Sequence, residues 1–483
     1  MDSQYNNFFV ELLQKYSSNI ILHNDQRESF SYLDVFDLSR KECFRKSEGQ
    51  LVICFFDNDI WGIAGYLALL GAGAVPMLMP TKVRSDKRDA LLDLYRPSFI
   101  WMPSSEADFL ADPEKLDNFG GYTLIKTKEG SRSAAVGEEL ALLLSTSGST
   151  GSEKFVRLSH KNIWSNATAI ADYLRLSETE NPVTSLPPSY SYGLSVIHSH
   201  LVVGAKVAVI GKGLFDKSFW SFIREANVTS FAGVPYHYEM LKKLKFTGMN
   251  FPELRYLTQA GGRLDPELKS EFTSFCEKYG KQFVTMYGQT EAGPRMAYLP
   301  AEDAVIKADS IGIAIPGGSF ELVGATGELI NGKDTEGELV YYGPNVCMGY
   351  ACCRGDLVKS DDNKGRLLTG DIAVRDCDGY YRIVGRKKRF IKLFGNRISL
   401  DDVESYLLKQ NFEVACVGRD DSLEVFTTVF DPEIAKLLKK TIASFLHSSS
   451  QGISIYGING VPRSSSGKTQ YAKLLVEEAE LLA

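Results

Sequence analysis

LLLSTSGSTGSEKFVRLSH, residues 142–160, opens with a short apolar run and passes through eight consecutive residues that are only Ser, Thr or Gly, Ser145 to Ser152. It leaves through Glu153 and Lys154 into a second apolar-alternating run. Glycine lets a backbone turn sharply and come close to a ligand. Hydroxyls and free backbone N–H groups are donors suited to phosphate oxygens, and Lys154 adds a point charge within their reach. A flexible Gly/Ser linker has a similar composition, but a linker is not expected between two strand-like runs in mid-chain. The stretch is therefore read as a loop between strands that grips a polyphosphate.

Outward from this loop the chain alternates. Leu51–Phe56 reads as a buried strand, Trp61–Leu70 as a helix ending at Gly71-Ala72-Gly73, and Ala74–Leu78 as the next strand. That order predicts a parallel sheet covered by helices. Phe99–Met102 and Gly121–Lys126 are further strands, with loops or short helices over 104–120 and 127–138. Downstream, Ser159 is an N-cap, and Ile163, Ala167, Ile170, Ala171 and Leu174 mark one face of a helix. Strands follow at Val183–Leu186, Lys206–Ile210, Ser230–Ala232, Leu254–Thr258 and Phe283–Met286, with helices at Leu194–Val203 and near Ser218–Ala226. The last two strands run into the loops 259–263 and 287–293. Ligands in such sheets sit beyond the carboxyl ends of strands, so these loops are expected to converge on Ser145–Lys154. From Ile311 to Ile383 the pattern is mainly β. The last hundred residues or so read as a small α+β unit, with helices at Ser399–Lys409 and Pro432–Phe445, strands at Glu413–Val417, Val425–Phe430 and Ile453–Gly457, and a C-terminal helix.

The bulk properties narrow the function classes. A chain of 483 residues holds two or more domains. Its formal charge of −6 gives no reason to expect nucleic acid or an anionic membrane as main partner. The eight cysteines are scattered and form no C-x-x-C pair, which points to free thiols rather than a disulfide framework or a zinc site. The first residues lack a basic region with an apolar core, and Ile60–Pro80 carries four glycines and ends in prolines, unlike a membrane span. A cytoplasmic protein is expected.

Near the C-terminus, Pro462-Arg-Ser-Ser-Ser-Gly-Lys-Thr469 almost fits G-x-x-x-x-G-K-[ST]. Its first glycine is replaced by proline, and the large α/β domain that a P-loop nucleotidase needs does not follow. Lys154 is preceded by Glu153 rather than Gly, so neither segment is read as a P-loop. Taken alone, Lys468 would be a solvent-exposed loop lysine.

STSGSTGSEK, YGQTEAG, LLTGDIAVRDCDGYYRIVGRKKRFIKLFGNRISLDDVE and RSSSGKT occur in this order and spacing. With LLGAGAVPMLMP, LPPSYSYGLS and GELVYYGPNVCMGY they cover nearly the whole chain. Together they resemble the adenylate-forming superfamily of acyl-CoA synthetases, peptide-synthetase adenylation domains and luciferases. The resemblance implies an α/β protein. It implies a large N-terminal domain, residues 1–386, with parallel-rich sheets, covering helices and a β subdomain, and a small mobile α+β domain, 387–483, that would carry the catalytic lysine. It also implies a two-step reaction: a carboxylate attacks the α-phosphate of Mg·ATP to give an acyl-adenylate and pyrophosphate, and a thiol of CoA or of a carrier protein's phosphopantetheine then takes the acyl group. Such transfers rest on positioning and charge neutralisation.

By the same resemblance, Thr146, Ser147, Gly148, Ser149, Thr150 and Lys154 would hold the β- and γ-phosphates. Gly262, Arg263 and Leu264 would line the adenine pocket, and Tyr287 would stack on the base. Thr290 would contact the α-phosphate and Glu291 would be the carboxylate at Mg2+, a hard ion that prefers oxygen ligands. Asp371 would accept from both ribose hydroxyls, with Arg386 reaching ribose or phosphate. Lys468 would bridge the substrate carboxylate and the α-phosphate. Lys388 falls at the hinge position, Arg397 near the nucleotide in the thioester-forming state, and Gly395 along the thiol's tunnel, with the small domain rotating between half-reactions. Tyr190, Tyr192, Tyr236, Gly261 and Met286 would border the acyl pocket, which is then aromatic with some hydroxyls and suits a medium-sized or aryl acid.

The chain departs from the family at Ser152-Glu153, where a residue followed by Pro is common, at Phe155, where Gly is frequent, and at Tyr190, where His or another aromatic is usual. Amino-acid-activating members carry an Asp near the position of Ser191. No acid occurs from Pro187 to His200, which argues against an ordinary α-amino acid. His198 and His200 lie two apart on a helix and point to different faces, so the pair is not read as a metal site. The expected partner is a small carboxylic acid. If the acceptor is a carrier protein, it acts in trans. A non-catalytic nucleotide-binding protein on the same fold is the rival from another class, disfavoured by Glu291, Asp371 and Lys468 all being present.

Overall fold

A computed structural model describes residues 7–109, 114–128, 136–145, 154–393, 396–419, 421–446, 449–463 and 469–483. Among them the chain forms two compact units, one built from 7–145, 154–319 and 341–367, the other from 320–340 and 368–483.

The first unit is organised by an eight-stranded sheet. Its centre is a parallel set, Leu140–Ser145, Val75–Met79, Leu51–Phe55 and Phe99–Pro103, flanked by antiparallel strands. The central strands are buried on both faces and almost wholly apolar, as parallel strands covered by helices must be. Ile60–Gly71, the helix between two of them, is capped by Asp59, whose carboxylate accepts from the N–H groups of Trp61 and Gly62. Gly65 on that helix has no room for a side chain, because a Cβ there would lie 2.1 Å from the Trp101 ring. A second sheet has the order Ser230–Gly233, Tyr256–Gln259, Gln282–Gly288, Arg295–Tyr298, Ile313–Ala314, its first three strands parallel. Tyr256–Gln259 and Gln282–Gly288 are neighbours in register, so the loops after them leave the same end of the sheet.

The second unit holds most of a four-stranded sheet, Ser319–Val323, Gly337–Tyr342, Arg366–Arg375 and Tyr381–Arg386 in that order, of which Ser319, 341–342 and 366–367 are counted with the first unit. It continues with a two-stranded sheet of Phe390–Leu393 and Asn396–Ser399, and with a four-stranded sheet covered by the helices Leu400–Leu408 and Pro432–Phe445.

Several expectations are corrected. The C-terminal helix does not form. Short 3-10 turns at Tyr471–Lys473 and Val476–Glu478 lead into Glu480–Leu481, which pairs antiparallel with Tyr456 and Gly457 and so fills a sheet edge. Val183–Leu186 is not a strand: only single bridges form, Pro182 with Ser230 and Val183 with Ala208. The Thr184 hydroxyl there accepts from the Ile210 N–H, which a continued ladder would otherwise engage. Within 104–120, Glu114–Phe119 is an edge strand rather than a loop, its charged residues suited to an unpaired edge. No described helix is long and apolar enough to cross a membrane.

Candidate active site

Leu140–Ser145 and Phe155–Ser159 pair antiparallel, with Ser145 opposite Phe155, so the Ser/Thr/Gly stretch connects two adjacent strands. Thr146, Ser147, Gly148, Ser149 and Thr150 lie outside the described residues. Lys154 lies at the loop's exit, with Nζ 3.9 Å above the centroid of the Tyr350 ring. The strand beyond is fixed by Arg157, whose side chain is wholly buried. Its guanidinium donates to the carbonyls of Lys359 and Met348, 2.6 Å each, and to the Asp362 carboxylate at 2.7 Å. This holds residues 348–362, and with them Tyr350, against the loop's exit strand.

Tyr350 links Lys154 to the predicted metal carboxylate, because its hydroxyl donates to Glu291 Oε1 at 2.7 Å. Burial and the neighbouring Glu291 charge push the phenol's pKa upward, so it remains a donor. Glu291 sits on a short 3-10 turn, Thr290–Ala292, straight after Gln282–Gly288. Its carbonyl accepts from the Cys347 N–H, which adds a second tie between the two segments. Thr290 Oγ1 lies 3.0 Å from the hydroxyl of Ser191, the first residue of the helix Ser191–Leu201.

Gly261 has φ +84°, and a Cβ there would sit 2.6 Å from the Tyr190 hydroxyl, so the absence of a side chain lets that phenol approach the loop backbone. Gly262 and Arg263 are exposed, while Leu264 packs into the core beneath. Tyr287 is half-buried. Of the expected acyl-pocket residues, Met286 lines a cavity between the helices 160–173 and 191–201 and the second sheet. Tyr192 is buried, its hydroxyl 2.9 Å from that of Thr258. Tyr236 is 49% exposed on the helix Pro235–Lys243. His198 and His200 are structural: each Nε2 meets a tyrosine hydroxyl, Tyr66 at 2.8 Å and Tyr256 at 2.9 Å, and burial lowers their pKa values to about 3 and about 4.

In the second unit Asp371 and Arg386 face each other across adjacent strands. Arg386 Nε lies 3.0 Å from Asp371 Oδ1, with the carboxylate buried and the guanidinium largely exposed. Gly395, Lys468 and the side chains of Lys388 and Arg397 lie outside what is described. Arg397 pairs through its backbone with Lys392.

Two residues of this site escaped sequence reasoning. Tyr350 ends the segment GELVYYGPNVCMGY, which drew attention as a motif but not for that side chain. Arg295 is 3% exposed among apolar strand neighbours. A charge in the otherwise apolar run Arg295-Met-Ala-Tyr298 was the available signal.

The model of the AMP-binding enzyme family matches residues 14–351. Oxalate–CoA ligase of Arabidopsis thaliana is 29% identical over 353 residues, which cover 68% of this chain and 66% of that protein, just short of two thirds of its length. The 2-succinylbenzoate–CoA ligase of Bacillus cytotoxicus is 26% identical over 458 residues, 89% of each chain. O-succinylbenzoate coenzyme A synthetase of Bacillus subtilis, solved in complex with ATP and magnesium ion, superposes with a TM-score of 0.77 at 20% identity, covering 97% of this chain and 99% of that one. The family match runs through both strands of the hairpin that carries the Ser/Thr/Gly stretch and on past Glu291 to Tyr350, and this chain belongs to the AMP-binding enzyme family.

Proposed function

We propose that this chain is an acid–thiol ligase that forms AMP. A carboxylate oxygen attacks the α-phosphorus of ATP, the bond to the bridging oxygen of the β-phosphate breaks, and pyrophosphate leaves. The sulfur of CoA then attacks the acyl carbon, its proton passes to solvent, and AMP leaves. The relatives above are named for two carboxylic acids and for CoA, which supports this choice of substrate class and acceptor.

The observation that carries the reading is the contact of Lys154, Tyr350 and Glu291 at the exit of the phosphate loop. Lys154 supplies positive charge to the leaving phosphates, and Tyr350 orients the Glu291 carboxylate. Glu291 fits Mg2+: one oxygen is engaged by Tyr350, and a single carboxylate beside substrate phosphates is a usual Mg2+ environment. When bound, the metal would neutralise phosphate charge as pyrophosphate departs. Thr290, held by Ser191, is placed to donate to the α-phosphate. Buried Asp371, oriented by Arg386, is an acceptor for the ribose hydroxyls. Lys468 is assigned to the adenylation step, and Lys388, Gly395 and Arg397 to the switch between steps and the thiol's route.

Separate assays of the half-reactions test this assignment. Lys468→Ala is expected to abolish acid-dependent pyrophosphate release and to spare thioester formation from supplied acyl-AMP. Gly395→Trp should do the reverse. Equal loss of both half-reactions in the lysine variant would overturn the role of Lys468.

A further inference from the structure

Arg295 is a buried cation without a carboxylate partner among the described residues. Its side chain stacks 4.0 Å from the centroid of the Tyr192 ring and reaches the Met286 sulfur through Nε at 3.3 Å. The nearby phenols of Tyr173, Tyr190 and Tyr192 are raised by burial and drawn back by the guanidinium, so they stay neutral and supply no counter-charge. His200 beside them is also neutral, because burial lowers its pKa to about 4. Taking a guanidinium out of water is costly unless an anion meets it, and Arg295 also borders an open space.

That space is the cavity lined by Ile170, Ser195, Ser199, Ala232, Met286 and Arg295, with room for about one water molecule. A space of that size means that the group reaching Arg295 must be compact. The cavity is linked to the reacting end by one helix face. Ser191, Ser195 and Ser199 lie four residues apart on the helix Ser191–Leu201. Ser191 touches Thr290, and the other two border the cavity. One such step rises about 6 Å and two rise about 12 Å. Across the second sheet, Arg295 pairs with Gly288, two residues before Thr290.

We propose that Arg295 is an anion receptor at the far end of the acyl pocket, and that the substrate is a short acid carrying a second carboxylate. The inference rests on the ligase reading for the first carboxylate, which is activated near Thr290, while the second stays ionised against Arg295. It also gives a positive meaning to the absence of any acid over residues 187–200, since the pocket is then built for an anionic tail.

The test pairs acids of equal length: succinate with butyrate, glutarate with valerate, adipate with hexanoate, suberate with octanoate. In acid-dependent ATP–pyrophosphate exchange, the wild type is expected to favour one diacid over its partner by about 100-fold in kcat/KM. Arg295→Met should erase or invert that ratio, mainly through KM for the diacid, and Arg295→Lys should keep part of it. Without acid, Arg295→Met should melt at the same temperature as wild type or higher, because an uncompensated buried charge has been removed. Preference for monoacids, or an equal loss for both acids of a pair together with a lower melting temperature, would show a structural arginine and overturn the proposal. If no acid supports exchange, the ligase reading fails. Calorimetric titration of the preferred-length diacids into wild type and Arg295→Met then decides the anion site separately: heat lost only in the variant supports it, and no binding to either protein overturns it.

Discussion

Replacing Tyr350 by Phe removes a single oxygen at the point where Lys154, at the exit of the proposed phosphate loop, and the proposed metal carboxylate meet. The hydroxyl lies 2.7 Å from Glu291 Oε1, a hydrogen bond to a carboxylate in a half-buried place. Such bonds contribute about 1.5–3 kcal/mol, which corresponds to roughly 10- to 100-fold in rate or affinity. The ring stays, so the Lys154 ammonium 3.9 Å from its centroid keeps its cation–π contact. Tyr350→Leu removes that as well, a further loss of about 1 kcal/mol, or roughly fivefold. The assay is ATP–pyrophosphate exchange titrated with Mg2+ at saturating acid, beside a melting curve for each variant. Expected is a shift of the Mg2+ half-saturation upward in Tyr350→Phe, with kcat/KM for ATP reduced about tenfold or more, and a deeper loss in Tyr350→Leu. A phenylalanine variant with wild-type Mg2+ dependence and rate would refute the claim that Tyr350 orients Glu291. So would a variant whose activity loss follows its loss of folded protein.

Asp371→Asn is expected to raise the KM for ATP by about tenfold or more with little change in KM for the acid, because the buried carboxylate held by Arg386 is assigned to ribose; nucleotide binding measured calorimetrically checks this. Gly261→Ala places a Cβ 2.6 Å from the Tyr190 hydroxyl on a backbone with φ +84°, so it should cost about 1–2 kcal/mol of stability and raise the KM for acid more than for ATP; urea unfolding and steady-state kinetics separate the two effects. Buried His198 and His200 take up a proton near pH 6.5 in the unfolded chain but only near 3 and 4 when folded, so stability is lost as pH falls below 6.5; unfolding free energies from urea titrations at pH 7 and pH 5 should show a drop of about 2 kcal/mol per histidine, reduced by about that amount in His198→Phe.

What was legible in the sequence is what local pattern determines. Gly337–Tyr342, Pro432–Phe445 and Ile453–Gly457 form over the expected residues, because strand alternation and the Asp431-Pro432 helix start are local signals. The hairpin that carries the Ser/Thr/Gly stretch was legible for the same reason. Pairing between distant segments was not. Ile20–Asn24 forms a parallel ladder with Val207–Val209, and nothing within either short segment announces the other. The C-terminal segment has helix-forming residues, yet its last residues complete a sheet edge, where backbone bonds to Ile455 outweigh propensity. Among the proposed site residues, Gly261, Thr290, Glu291, Asp371 and Arg386 stood in recognisable motifs, and the structure places Thr290 beside Ser191 in one unit and Asp371 beside Arg386 in the other. Tyr350 and Arg295 matter through partners that are close only in space, Lys154 and Glu291 for one and the phenols around Tyr192 for the other.

The central claim, that this chain activates a carboxylic acid with ATP, is tested most directly by exchange of labelled pyrophosphate into ATP over a panel of mono- and dicarboxylic acids, with the acyl-adenylate identified by mass. The account predicts exchange that requires both Mg2+ and a particular acid and that yields an adduct of that acid with AMP. Pyrophosphate exchange that is absent with every acid, or present without any, would contradict it.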